Sequence, residues 1–295
     1  MTSPDIDDLL ARMADPALRT AEVVDRYYTL CIPFYREFLG AHWHTGFYEA
    51  EGPIGPRDQW RMEAVIAASV QLSATDRAID VGCGMGGPAC HLARLTGAHI
   101  LGVTPNAVQL DLACELARQQ GVHERVSFVQ GRADALPCPD ASVDVLLFFE
   151  SACHFPDRRA FFREAHRVLK PGGRLAGEDW LASEGLSASL IERHVRAIGH
   201  TWCIPALGTL SDYAADMQAA GLTVTEAVDM RQEMALHRGF IVHPRDRAVV
   251  AMEMRATADP IRRVIMDGLL RLGEATEAGA FTVGRFVARK PEQPA

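Results

Sequence analysis

The chain has 295 residues, 48% of them hydrophobic, and a formal net charge of −8 at pH 7. A chain of this length can bury a full core and lies near the upper size of a single domain. The acidic balance leaves no basic face for phosphate backbones, so a nucleic-acid partner is not expected. The acidic start has no basic leader, and no run of 18 apolar residues follows, which predicts a cytoplasmic protein without stable membrane insertion.

Helices and strands are predicted in a regular order along the chain. Residues 5–70 have a helical pattern that breaks at the Gly and Pro residues of 51–56. The predicted strands are 78–81, 99–103, 126–130, 143–149, 174–179, 223–228 and 280–288, and the helices among them are 88–95, 107–120, 158–169 and 210–220, with a turn at 170–173. This alternation predicts an α/β, Rossmann-like sheet of seven mostly parallel strands with helices on both faces.

Two further stretches, near 181–208 and 231–275, have helical periodicity and interrupt the alternation. Open α/β sheets bind ligands at the C-terminal edge of their strands. We therefore expect an N-terminal segment, 1–70, to form a helical cap over this edge together with both stretches. The cofactor-binding domain is then 71–295, with the two stretches as cap insertions, and the cap selects the substrate.

A glycine-rich turn, Gly82-Cys83-Gly84-Met85-Gly86-Gly87, follows the first predicted strand. Glycines allow the close backbone approach and unusual dihedral angles that a nucleotide-like cofactor requires, but such a turn could serve several cofactors. Dinucleotide enzymes usually have Asp or Glu after the second strand to bind the ribose, whereas Thr104 stands here. This difference disfavours NAD. Thr104 could also be the N-cap of the following helix.

Three segments in order, 80–84, 131–137 and 167–173, resemble motifs of the class I methyltransferases that use S-adenosylmethionine (SAM). The resemblance extends over roughly residues 75–230 and implies that SAM is the cofactor. It assigns the methionine and ribose part of SAM to the glycine turn, the ribose to Thr104 and Gln109, and the adenine amino group to Asp134 with Ala133 beside it. The complete predicted cofactor set is Asp80, Gly82, Gly84, Gly86, Thr104, Gln109, Ala133 and Asp134.

The segment 149–157, after the fourth predicted strand, contains Glu150 and His154. It resembles a stretch of the sterol C-methyltransferases, and the prenyl diphosphate C-methyltransferases also carry a glutamate there; segments 42–48 and 178–180 look like this group too. When an alkene attacks the SAM methyl a carbocation forms, so the site must stabilise positive charge and later remove a proton. Glu150 could do both, or it could cap the next helix or contact SAM.

Aromatic residues are concentrated between positions 27 and 48. Aromatic faces hold a cation without reacting with it, although the same rings could simply pack on the core. Resemblance to the prenyl diphosphate enzymes implies that Tyr28 faces the substrate. His154 could orient Glu150, contact a diphosphate, relay a proton or serve the structure alone.

We predict a C-methyltransferase that adds a methyl group to an alkene carbon of a small hydrophobic isoprenoid, with a prenyl diphosphate as the leading substrate, in terpene or other specialised metabolism. A diphosphate would require Mg²⁺ and arginine partners. Arg26, Arg36, Arg193 and Arg196 lie in the cap segments, but no spacing identifies a metal site. The alternatives are an O-, N- or aromatic C-methyltransferase of another natural product, or a cyclase with the SAM fold. A homo-oligomer is compatible with each.

Overall fold

The N-terminal region is mostly helical. The computed structural model describes residues 3–292, so residues 1–2 and 293–295, where the predicted segments 1–70 and 71–295 begin and end, lie outside this range. Helices α1 (Ser3–Ala14), α2 (Ala21–Phe38) and α3 (Pro56–Ser69) are present, with a short 3₁₀ turn (Pro16–Leu18) after α1. Residues 39–55 are not helical, so the break predicted at 51–56 is too short.

A single sheet forms the centre of the molecule. Its strands are β1 (Arg77–Val81), β2 (His99–Thr104), β3 (Val126–Gln130), β4 (Val143–Phe149), β5 (Leu169–Ala182), β6 (Thr223–Asp229) and β7 (Phe281–Arg289). Their order is β3-β2-β1-β4-β5-β7-β6, and β7 runs antiparallel to both of its neighbours while β1 to β5 are parallel. This architecture confirms the predicted fold class. Residues 170–173, predicted as a turn, belong to β5, but the pairing of β5 with β4 shifts register there and Gly172 has a φ of 73°, so the predicted turn corresponds to a bulge in this strand.

Helices cover both faces of the sheet. They are α4 (Gly87–Thr96), α5 (Ala107–Gln119), α6 (Arg158–Val168), α7 (Ala188–Leu190), α8 (Arg196–Thr201), α9 (Leu210–Ala219), α10 (Pro244–Ala256) and α11 (Pro260–Glu277), with a π turn (Ile191–Val195) that joins α7 to α8. Side chains of β4 alternate between two cores: Val145 and Leu147 pack in one, Leu146 and Phe148 in the other. This period of two is expected for a strand that is buried on both faces.

The chain order of the strands changes direction between β1 and β4. From β1 the chain proceeds to β2 and β3 on one side, and then returns to β4 on the other side. Open α/β sheets bind ligands at such a switch point, beyond the carboxyl ends of the strands. The loops after β1 and β4 are therefore the first place to look for a site. Within the described residues, no helix is long and apolar enough to cross a membrane.

Candidate active site

A cleft of about 1170 Å³ lies over the carboxyl ends of β1, β2 and β4. Its walls come from the loops after β1, β2, β3 and β4, from α2, and from the segment that follows α2. The predicted cofactor residues on its wall are Asp80, Gly82, Gly84, Thr104, Gln109, Ala133 and Asp134. The structure therefore brings together residues from the ends of three strands, β1, β2 and β3, and the loops after them, which the sequence analysis assigned to one ligand.

The glycine turn is strained for any other residue, because Gly82, Gly84 and Gly86 have φ values of 78°, 52° and 80°. A Cβ at Gly84 would meet no protein atom within 4 Å, so a side chain there would extend into the open cleft. Gly86 is different, since a Cβ there would lie 2.4 Å from the Phe128 ring. Gly86 precedes α4, and a side chain there would collide with Phe128 of β3, while its role in cofactor binding stays a prediction.

The loop after β2 is held by a short hydrogen-bond network. Thr104 Oγ1 donates to Gln109 Oε1 over 2.7 Å, and the side chain of Asn106 accepts from the Gln109 backbone N–H over 2.8 Å. Asn106 is thus the N-cap of α5, and the interpretation of Thr104 as the cap is wrong. Asn106 Nδ2 also donates to Asp25 Oδ1 and Thr29 Oγ1, at 2.8 and 2.7 Å, which joins this loop to α2.

Asp134 lies in the loop after β3. Its two carboxylate oxygens accept from Arg132 over 2.8 and 2.6 Å, and these bonds lower the pKa of Asp134. Asp134 is exposed, with Ala133 next to it on the wall of the cleft. A ligand amino group at this position would share an oxygen that Arg132 already contacts.

Asp80, near the carboxyl end of β1, also lines the cleft. Its carboxylate is buried, and Oδ2 has no hydrogen-bond partner. Burial, and then the charge of Glu63, raise the pKa of Asp80 to about 7. An unpartnered buried carboxylate oxygen next to a glycine cradle fits the ammonium or sulfonium group of SAM, because both are positive.

A second cavity of about 700 Å³ adjoins the cleft. Its lining is mainly aromatic and aliphatic and includes Tyr35, Tyr48, Trp180, Trp202, Phe240, Leu39, Leu269 and Leu272. Neither Lys nor Arg is among the lining residues found in the described chain. The residues that line both cavities are Tyr28, Trp43, His44, Glu150 and His154. The three predicted catalytic residues, Tyr28, Glu150 and His154, therefore all lie at the boundary between the cavities.

Glu150 is the first residue after β4 and has a left-handed backbone, with φ 44°. Such a conformation costs a non-glycine residue on the order of 1–3 kcal/mol and often marks a functional position. Its Oε1 accepts a 2.8 Å hydrogen bond from the Thr45 backbone N–H. Burial raises the pKa of Glu150 to about 7, although the hydrogen bond from Thr45 and the charge of His44 oppose this. Asp157 caps α6, so the interpretation of Glu150 as a helix cap is wrong.

Tyr28 and His154 form a partly buried pair. Tyr28 Oη lies 2.7 Å from His154 Nε2, and their rings meet edge to face with centroids 5.1 Å apart. Burial lowers the pKa of His154 to about 4 and raises that of Tyr28 well above its ordinary value. His154 is therefore a neutral imidazole and Tyr28 a neutral phenol at physiological pH.

Several residues around Glu150 were not predicted as site residues. Thr45 and His44 come from the irregular segment after α2, while Trp180 and Trp202 come from β5 and the end of α8. The segments 42–48 and 178–180 carried a family resemblance that could have indicated the first three. No sequence signal indicated Trp202, because its place depends on how the chain after β5 folds back.

The fold and the site together define a class I SAM-dependent methyltransferase. A family model described as a methyltransferase domain matches residues 79–177. The 27-O-demethylrifamycin SV methyltransferase of Amycolatopsis mediterranei is 35% identical over 199 residues, which are 66% of this chain and 72% of that protein. The chain belongs to the SAM-dependent methyltransferase family, which confirms the predicted family and enzyme class.

Other similar proteins have names that state different activities. A sterol 24-C-methyltransferase of Eremothecium gossypii is 34% identical over 164 residues, 55% of this chain but only 43% of that longer protein. The crystal structure of the [4+2]-cyclase SpnF has a TM-score of 0.78 at 25% identity and covers 93% of this chain and 97% of its own. The geranyl diphosphate C-methyltransferase from Streptomyces coelicolor has a TM-score of 0.60 at 18% identity, with 90% and 98% covered, and shares the fold alone.

Proposed function

We propose that this enzyme transfers the methyl group of SAM to an alkene carbon of an uncharged, largely apolar isoprenoid held in the second cavity. The position of Glu150 carries this proposal, because it is a partly buried carboxylate at the boundary of the two cavities, among aromatic rings. Methyl transfer to an alkene creates positive charge on carbon, which a carboxylate and aromatic faces both stabilise. The sterol C-methyltransferase relatives support a carbon acceptor on an isoprenoid skeleton.

The lining favours an uncharged acceptor over the prenyl diphosphate predicted from the sequence. A buried diphosphate requires cationic partners, and the lining residues found in the described chain include neither Lys nor Arg. The four arginines considered for this purpose lie elsewhere: Arg26 pairs with Asp8, Arg196 pairs with Glu192, and Arg36 and Arg193 are exposed. We therefore propose that the reaction needs no Mg²⁺, which a diphosphate would bring to the site.

The residues of the cleft have separate tasks in this proposal. SAM, when bound, supplies an electrophilic methyl group on a sulfonium sulfur. Asp80 and the glycine turn bind its methionine part, while Thr104 and Gln109 bind the ribose and Asp134 the adenine. The largely apolar lining of the second cavity limits the access of water, which would otherwise react with a carbocation.

Glu150 performs the proton transfer. The Thr45 N–H holds its Oε1 in place, and the carboxylate first stabilises the positive charge on the acceptor. One C–C bond forms while the C–S bond breaks, and Glu150 then removes a proton from the carbon beside the cation. The electron pair of that C–H bond forms the new double bond. A pKa of about 7 suits a group that must accept this proton and later release it.

A second candidate is methylation of a hydroxyl oxygen. It is favoured by the pair of Tyr28 and His154, which lines both cavities, and by the rifamycin methyltransferase relative. A neutral imidazole at this boundary could accept the hydroxyl proton as the oxygen attacks the methyl group. A third possible reaction is cyclisation, which the name of SpnF states for that protein. An assay must distinguish it from both kinds of methyl transfer.

The test is incubation with SAM and four acceptor groups: sterols, polyprenyl alkenes, prenyl diphosphates with and without Mg²⁺, and hydroxylated polyketides. Mass spectrometry detects a gain of one methylene, and NMR of the product shows whether the new methyl is on carbon or oxygen. We expect C-methylation of an uncharged isoprenoid without added metal. Methylation confined to diphosphates, to hydroxyl groups, or a product of unchanged mass would overturn the proposal.

A further inference from the structure

A cluster of three histidines surrounds the side chain of Glu63 on α3, which is completely buried. His42 Nδ1 and His44 Nε2 lie 2.6 and 2.8 Å from Glu63 Oε1, and His91 Nδ1 contacts Oε2. These contacts hold Glu63 as an anion, because burial would raise its pKa but the three hydrogen bonds keep it below its ordinary value. The proposed reaction uses none of these four side chains.

The hydrogen-bond partners of His42 and His44 indicate which of their ring nitrogens carry a proton. Trp60 Nε1, which can only donate, contacts His42 Nε2 at 3.3 Å, so the proton of His42 is on Nδ1 and points at Glu63. His44 Nδ1 lies 3.0 Å from the Thr45 carbonyl oxygen, which can only accept. Both nitrogens of His44 therefore face acceptors. This is the arrangement that a doubly protonated imidazolium ring requires.

A metal ion is the competing explanation of the cluster. One ligand atom each from His42, His44 and Glu63 lie within 4.8 Å of one another, as a metal site requires. A metal binds the lone pair of an imidazole nitrogen. Trp60 occupies the lone pair of His42 Nε2 and so leaves a proton on Nδ1, where the metal would bind. Hydrogen bonds to a carboxylate explain the arrangement better than an ion.

His44 connects this cluster to the active site. It lines both cavities, and its ring packs 5.4 Å from that of Phe149, the last residue of β4. Its Nδ1 lies 3.8 Å from Oε1 of Glu178, a fully buried carboxyl group on β5 whose two oxygens have no hydrogen-bond partner. Burial, and then Glu150 and Asp179, raise the pKa of Glu178 well above its ordinary value.

The charged groups that face Glu150 have opposite effects on its pKa. Asp179 on β5 raises the pKa of Glu150 and His44 lowers it, while burial has the largest effect. Glu178 is coupled to Glu150 by charge. For His44 itself, burial would lower the pKa, but the hydrogen bond and charge of Glu63 and the charge of Glu150 raise it overall.

We propose that Glu63 is a positioning residue that fixes His44 as a permanent cation beside Glu150 and Glu178, so that this pair of carboxyl groups shares one proton and Glu150 stays ionised. This inference rests on the proposed role of Glu150 as the base. His42 and His91 serve the same end by holding the Glu63 anion from the side nearer the surface.

The first experiment needs no substrate. NMR of protein labelled with ¹⁵N-histidine reports the protonation of each ring, and comparison with His44→Gln identifies the His44 signals. We expect both His44 nitrogens to be protonated at pH 8, well above the ordinary histidine pKa of about 6.5. Glu63→Gln should make the ring neutral, whereas Glu49→Gln, a control on an exposed glutamate, should not. A neutral His44 in the native chain, a cation that survives Glu63→Gln, or one bound metal ion per chain would overturn the proposal.

The second experiment uses the pH dependence of methyl transfer. Loss of a nearby cation raises the pKa of a carboxyl base, so the acidic limb of kcat/KM should move up by roughly one pH unit in Glu63→Gln. His44→Gln should show the same movement, and the double variant should show no more than either. If the acidic limb of kcat/KM does not move in the single variants, or if the double variant shows the sum of the two shifts, Glu63 does not act through His44. If Glu150→Gln leaves turnover intact, the proposed function fails, while the NMR result still decides the state of His44.

Discussion

The backbone N–H of Thr45 donates a 2.8 Å hydrogen bond to Oε1 of Glu150, although 105 residues separate the two in the sequence. This bond joins the irregular segment after α2 to the loop after β4. It fixes a carboxylate at the boundary of the cleft and the second cavity, in a backbone conformation that glutamate rarely adopts. The position of the Glu150 carboxylate therefore depends on the segment that follows α2.

Replacement of Glu150 tests its role directly. Glu150→Gln keeps the shape but loses the charge and the basicity, so turnover should fall by roughly 10²- to 10⁴-fold, the usual contribution of a positioned base. Affinity for SAM should barely change. Single-turnover methyl transfer at saturating SAM measures the effect, and a rate within a few-fold of the native enzyme would rule out the catalytic role.

Gly84 tests the cofactor assignment. Gly84→Val places a side chain in the open cleft, so calorimetry should show a sharp loss of S-adenosylhomocysteine binding. Gly121→Val is a matched control, because Gly121 also has a positive φ, of 67°, and open space around it, but lies outside the cleft. Similar losses in both variants would contradict the place of Gly84 at the cofactor, and tight NADH binding by the native chain with no binding of S-adenosylhomocysteine would contradict SAM as the ligand.

The raised pKa of Asp80 predicts that cofactor binding depends on pH. Its pKa of about 7 lies above the ordinary value, so the carboxyl is largely protonated at pH 6 and ionised at pH 8. Only the ionised form attracts the positive groups of SAM, and SAM affinity should therefore rise over this interval. Calorimetry at both pH values measures it, and Asp80→Asn should flatten the response. An equal rise in Asp80→Asn would assign the effect to another group.

The same raised pKa values have a defined effect on stability. A carboxyl group with a raised pKa in the folded state binds its proton more tightly there than in the unfolded chain. Stability of the ligand-free protein should therefore fall as pH rises from the ordinary carboxyl pKa, about 4, towards 7, the value for Asp80 and Glu150. Thermal unfolding across this range measures it, and Asp80→Asn should reduce the slope.

The fold and part of the site were predictable because they depend on local patterns. Strand and helix alternation, the glycine turn and Asp80 are each set by a few adjacent residues. The boundary position of Glu150 follows from its place after β4. In contrast, the contact of Thr45 with Glu150 and the place of Trp202 arise from long-range folding of irregular segments. The close approach of Gly86 to Phe128 could not be predicted, because a glycine pattern does not distinguish a ligand contact from close packing.

The N-terminal region is expected to move. We predict that residues 5–60 and 181–208 form a lid that closes on ligand, because α2 contacts the loop after β2 through hydrogen bonds from Asn106 to Asp25 and Thr29. Amide hydrogen exchange should slow in these segments more than in the sheet when SAM and acceptor bind. Equal protection with and without ligands would show that the region is a fixed wall.

Tyr28 separates the two candidate reactions. If its ring stabilises a carbocation, Tyr28→Phe keeps the aromatic face and should lose only a few-fold in turnover. Tyr28→Leu loses that face, and about 2 kcal/mol of cation–π stabilisation in a desolvated site corresponds to roughly 30-fold. If the hydroxyl bond to His154 Nε2 is what matters, as for an oxygen acceptor, both variants lose it equally. If the single-turnover rates of Tyr28→Phe and Tyr28→Leu fall by the same factor, the aromatic role of Tyr28 is rejected and methylation of oxygen is favoured.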